Sequence, residues 1–88
     1  MGAEVVKVNV TVDISKWKMR DRVAFNEVAS TDDSKAIDYI IEHGIVKEWT
    51  LPGDPSDREA WLALELEDYG EVIRQIINAA QERFRKSR

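Results

Sequence analysis

The stretch LEDYGEVIRQIINAAQERFR, residues 66–85, decides the fold. Leu66, Tyr69, Val72, Ile73, Ile76, Ile77, Ala80 and Phe84 recur at steps of three and four, which places them on one face of an α-helix. A helix over 66–85 would run about 30 Å, at 1.5 Å per residue, and no other segment offers an apolar stripe of that length. It is therefore predicted to be the spine of the core. Glu65, Glu67, Asp68 and Glu71 stand at its start and Arg83, Arg85, Lys86 and Arg88 at its end, the order that complements a helix macrodipole. Gly70 inside this run costs about 1 kcal/mol relative to alanine, which predicts a close packing contact at that turn.

Upstream of this helix the signals change period. In residues 4–14, Val6, Val8, Val10, Val12 and Ile14 alternate with Lys7, Asn9, Thr11 and Asp13, the period of two of a half-buried β-strand. Residues 19–29 carry Met19, Val23, Ala24, Phe25, Val28 and Ala29 among charges without Gly or Pro, and read as a short helix closed by the polar run Ser30–Asp33. Ser30 to Ser34 supply oxygen-bearing N-caps for a second helix over 34–43, with Ala36, Ile37, Ile40 and Ile41 on one stripe and Gly44 as its stop. Residues 45–51 alternate weakly and read as extended. Two prolines and a glycine make 52–57 a loop, and Ser56 or Asp57 caps a short helix over 57–64. The expected fold is a single α+β domain over 1–88, mainly α-helical: an N-terminal strand followed by three to four helices, the last long and amphipathic.

Size and composition narrow the function. At 88 residues and 10.1 kDa the chain has no room for a two-domain enzyme. A domain of this size buries roughly 60–65% of its unfolded surface, so assembly with a copy or a partner would add stability. The absence of cysteine removes disulfides, thiol nucleophiles and Cys-based zinc sites. The first residues show no basic segment followed by an apolar one, and no apolar run reaches the ~18 residues of a membrane span, so a cytoplasmic location without membrane contact is expected. A net charge of −4 disfavours binding to a phosphate backbone.

The same residues give little material for catalysis. The single imidazole, His43, precedes a helix-stopping glycine and reads as a partner of that helix C-terminus rather than as a general base. Asp54 and Asp57 lack the ligand ladder of a calcium loop, and Gly2, Gly44, Gly53 and Gly70 are isolated from one another, so neither a metal site nor a phosphate cradle is expected. No enzyme, no cofactor and no metal follow from this reading. The basic run 83–88 reads as a solvated tail.

Protein partners are the remaining class. An eleven-residue strand spans about 36 Å, and its backbone groups need partners along that length. A second copy or a partner strand would supply them, and so would a hairpin with residues 45–51; both remain open at this point. Trp17, Trp49 and Trp61 lie near element boundaries, with Trp61 expected in the core beside Leu62 and Leu64, and Trp49 presented to a partner. The candidate partner-binding residues are Val6, Val8, Val10, Trp17 and Trp49.

The order of segments resembles a known family. A strand ending in VDISKW (12–17), a helix leading into GIVKEW (44–49), the loop LPGDP (51–55) and WLALELEDY (61–69) running into a terminal helix together resemble the small tail assembly chaperones of long-tailed bacteriophages, over residues 8–85. The resemblance implies a non-enzymatic, oligomeric protein of phage or prophage origin that coats the tape-measure protein. It would keep that protein in solution in the host bacterial cytoplasm, help tail-tube protein polymerise around it, and be absent from the mature virion. It also implies a longer frameshift product in some members, and assigns no individual site residue. A ribbon-helix-helix repressor or antitoxin is the alternative, with Lys7, Asn9 and Thr11 reading the major groove and 34–41 as the second helix. Against it, residues 1–50 hold seven basic and nine acidic side chains.

Overall fold

The long helix forms where its stripe requires it. The computed structural model describes residues 8–85, and in it α4 runs Leu66–Arg85 with Val72, Ile76 and Ala80 buried. Against this spine pack β1 (Val10–Val12), α1 (Met19–Thr31), α2 (Asp33–Glu42), β2 (Val46–Trp49) and α3 (Arg58–Leu62), so the domain is α+β and mainly α-helical. Phe25 from α1, Ile40 from α2, Ile45 before β2 and Trp61 from α3 meet Val72 and Ile76 of α4 in the fully buried centre.

Local chemistry sets the boundaries. The Asp21 carboxylate accepts the Lys18 backbone N–H at 2.9 Å and opens α1. The Ser30 and Thr31 hydroxyls both donate to the Glu27 carbonyl, at 3.1 and 2.7 Å, and carry α1 two residues past the expected end at 29. Asp32 alone then separates two helices: its N–H donates to the Val28 carbonyl, while its side chain accepts from the N–H groups of Ser34 and Lys35. This is the oxygen cap expected within Ser30–Ser34, and it starts α2 at Asp33 rather than 34. Gly44, at φ +60°, ends that helix in the left-handed region. Arg58 at the start of α3 reaches back to α2, donating to Asp38 at 2.7 Å and to the Ser34 hydroxyl.

Three expectations change. The strand expected over 4–14 forms a regular ladder only at Val10–Val12, with single hydrogen bonds beyond it at Asn9 and Asp13, because its partner β2 has four residues and the ladder is interrupted by a bulge between Thr11 and Val12; residues 4–7 lie outside the described residues. Its facial alternation nonetheless holds, with Val8 and Ile14 buried, Val10 and Val12 half-buried, and Asn9, Thr11 and Asp13 exposed. The helix expected over 57–64 is shorter, Arg58–Leu62, because Asp57 is its cap and Ala63 its end, and Leu62 points outward rather than joining Trp61 in the core. Gly70 makes no close contact either: a Cβ built there would meet nothing within 4 Å.

Two glycine substitutions therefore have opposite signs. Gly70→Ala removes only the backbone entropy cost and should raise stability by about 1 kcal/mol, or roughly 4–8 °C in thermal midpoint. Gly53→Ala should lower the midpoint, because Gly53 sits at φ +91° and its added Cβ would lie 2.7 Å from the Ala60 Cβ. Thermal unfolding followed by circular dichroism checks both.

Candidate functional site

The strand that raised the partner question meets β2 along one edge and, at Val8 and Val10, the side chain of Gln75 on the other. On one side it pairs antiparallel with β2, Val10 opposite Trp49 and Thr11 opposite Glu48. Hydrogen bonds from Thr50 N to the Asn9 carbonyl and from Asp13 N to the Ile45 carbonyl extend that pairing past both ends of the ladder. Pairing with residues 45–51, one of the two possibilities the sequence left open, is thus present. On the other side, among the described residues, stands no strand but the side chain of Gln75, from α4. Its Oε1 accepts the Val10 N–H at 3.1 Å, and its Nε2 donates to the Val8 carbonyl at 2.6 Å. The carboxamide carries one acceptor and one donor group in a plane, as a peptide unit does, and here it takes the place of a third strand.

Gln75 is itself held in place. Its Nε2 also donates to Glu71 Oε2 at 3.0 Å, one turn earlier on α4. Glu71 in turn binds the Arg74 guanidinium through both carboxylate oxygens. Arg74 first and Gln75 second hold the Glu71 carboxyl down at about 2, so it remains a charged acceptor through the ordinary pH range. With an acceptor fixed at Glu71, the amide nitrogen must face Glu71 and Val8, and the oxygen must face Val10.

The partner candidates are distributed accordingly. Val8 and Trp17 are buried, Trp17 with its ring 5.8 Å from Phe25 and its carbonyl accepting from Arg83 at 2.9 Å. Val10 is half-buried between the sheet and Gln75, and Val6 lies outside the described residues. Trp49 is half-buried: its ring lies 4.8 Å from Trp61, and its indole N–H donates to the Gly53 carbonyl at 2.8 Å. Trp61 does the same for the Pro55 carbonyl. The two indoles thus clamp the 52–57 loop by its backbone, a task that neither the composition nor the position of these rings announced.

Ser15, Asp13 and His43 line one polar groove, yet their hydrogen bonds are not those of a nucleophilic relay. Ser15 Oγ donates to Asp13 Oδ1 at 3.0 Å inside a local turn, and the Ser15 N–H first and this hydroxyl second lower the Asp13 carboxyl below its ordinary value. His43 stacks on Tyr39 at 4.1 Å, and its Nδ1 donates to the Tyr39 carbonyl at 3.0 Å, the helix-end role expected for it. A relay needs serine to imidazole and imidazole to carboxylate, and neither link is made. Among the described residues no three His, Asp or Glu side chains converge as metal ligands, and no helix is long and apolar enough to cross a membrane.

Exposed apolar surface is concentrated at the two ends of α4. Leu66 is 84% exposed and Leu62 52%, beside a groove whose walls include Ile37, Trp61, Leu64 and Tyr69. Met19 and Val23 of α1, 53% and 52% exposed, lie by the other end, where Met19 shares a hollow with Arg22, Gln81, Phe84 and Arg85. Tyr69 closes the first groove with its hydroxyl donating to Asp33 Oδ1 at 3.3 Å; burial, then the Asp33 charge, raises its pKa. No protein-family model, curated protein or solved structure matches the chain.

Gln75→Leu keeps the size of the side chain but leaves the Val10 N–H and Val8 carbonyl without their partner. Stability should fall by about 1–3 kcal/mol, the cost of an unsatisfied backbone group away from water. The measurement is a lower urea midpoint with an unchanged slope.

Proposed function

We propose that this chain is a non-enzymatic assembly chaperone that works in several copies on a long, partly apolar helical protein. The partner implied by the sequence resemblance is the tape-measure protein of a long-tailed phage, with tail-tube protein as a further contact. The observation that carries this reading is the exposure of Met19, Val23, Leu62 and Leu66 in a small domain. Large side chains left in water at two separate places are suited to contacts between proteins. Excess negative charge, −4 over the chain, keeps such a protein and its load dispersed. Trp49 lines a shallow groove shared with Lys47, Gly53 and Pro55, and is the surface assigned to the long partner.

The DNA-reading alternative needs β1 to pair with its own copy across a two-fold axis. Here residues 9–13 face β2, and the outer edge at Val8 and Val10 is taken by Gln75, so no observation favours that reading.

Co-expression with the tape-measure protein of the same phage or prophage, followed by purification through a tag on this chain, tests the proposal. The expected result is a soluble complex with many copies of this chain per long partner, its mass read by light scattering. Recovery of the tagged chain alone, with the long protein insoluble, contradicts it.

A further inference from the structure

The two exposed apolar pairs differ in charge. At the start of α4, Asp33 lies on the wall of the Leu62–Leu66 groove, and Glu65 and Asp68 line the hollow on the other side of Leu64; no lysine, arginine or histidine lines either. At the far end, Met19 and Val23 lie one turn apart on α1, with Arg20 and Arg22 beside them in sequence. Val23 is two residues from the buried Phe25, about 200° around the helix, so the pair projects from the side of α1 turned away from the core. Arg22 also lies over the Phe84 ring, 5.6 Å from its centre, and Arg85 completes the hollow. Leu66 and Phe84 are eighteen positions apart on one helix, which separates the two places by about 27 Å.

We infer that these ends are the two halves of one contact, in which α1 of one copy docks into the Leu62–Leu66 groove of the next. Met19 and Val23, at i and i+4, are the anchors, a spacing by which an amphipathic helix fills an apolar groove. Arg20 and Arg22 flank the anchors with positive charge, while Asp33 lines the groove and Glu65 and Asp68 line the hollow across Leu64, so the approach is favourable in this orientation and unfavourable for groove on groove. Glu82, 3.7 Å from Arg85, and Glu27, one turn beyond Val23 on α1, offset part of the positive field at the α1 end, as Arg58, one turn before Leu62 and paired with Asp38, offsets part of the negative field at the groove.

Because the two surfaces differ, the contact is heterologous. Every copy added leaves one groove and one α1 face free, and the row continues until it closes on itself or runs out of copies. Few side chains take part on each side, short of the roughly 800 Å² per partner of a standard stable interface, so a single contact is weak and reversible. This inference rests on reading the chain as a multi-copy protein. It does not require the long partner, and its test uses this chain alone, so its failure and that of the tape-measure reading are separable.

The test is sedimentation velocity on the parent chain and two double variants, Leu62→Gln with Leu66→Gln and Met19→Gln with Val23→Gln, from low micromolar to millimolar concentration. All four positions are exposed, and unchanged circular dichroism and thermal midpoints confirm the fold. The parent should show a mass that climbs with concentration past that of two chains and falls with added salt. Each variant alone should stay at the mass of one chain. An equimolar mixture of the two variants should double that mass and stop, since the intact α1 of one fits the intact groove of the other and no further contact is possible. A parent that remains a single chain throughout, a variant that associates by itself, or a mixture that stays at one chain would each overturn the inference.

Discussion

Gln75 is the contact on which the arrangement of sheet against helix depends. Two short strands with a bulge between them do not make a stable sheet on their own, and the outer edge of β1 would expose an N–H and a carbonyl to any passing strand. A side-chain amide from α4 meets both groups, and α4 itself is anchored by Val72, Ile76 and Ala80 in the core. The same amide is steered by Glu71, which Arg74 keeps ionised. Hydrogen bonding that a larger protein would obtain from a third strand is provided here by one residue of a helix that the core already requires.

That economy has a functional side. At Val8 and Val10 the outer edge of β1 is taken by Gln75, and its inner edge by β2. Under the proposed function contacts fall to the helices, where apolar side chains stand in water at both ends of α4. The loop at 52–57 is held by two indole N–H groups, which fixes α3 and with it the position of Leu62 beside Leu66. Rigid placement matters for a weak interface, because ordering a loose surface on contact would cost much of what the few apolar side chains contribute.

Much of this was legible in the residues. The stripe of residues 66–85 gave α4 its bounds, the oxygens of Ser30–Ser34 located the break between α1 and α2, and the alternation of 8–14 assigned each side chain to its face. Leu66, counted as part of the buried stripe, is exposed because α4 begins before the core does. Strand length is not legible in the alternation, since periodicity reports which face a residue takes and not how long its partner is. Gln75 escaped for a different reason: a polar residue on a long helix is ordinarily solvated. Its signal was positional, three residues after Val72 and one before Ile76, on the flank of the buried stripe. The exposed pairs could be recognised only once α3 and α1 had been placed, because Leu62 and Val23 carry the same apolar signature as residues that do reach the core.

Amide hydrogen exchange at Val10, followed by NMR in the native protein, tests the central claim most directly. If Gln75 closes the edge of β1 as a third strand would, the Val10 amide should exchange with protection comparable to the amides of Val72 and Ile76 in α4, although no backbone carbonyl accepts it. Exchange of Val10 at the rate of an unstructured chain, with α4 still protected, would contradict the account.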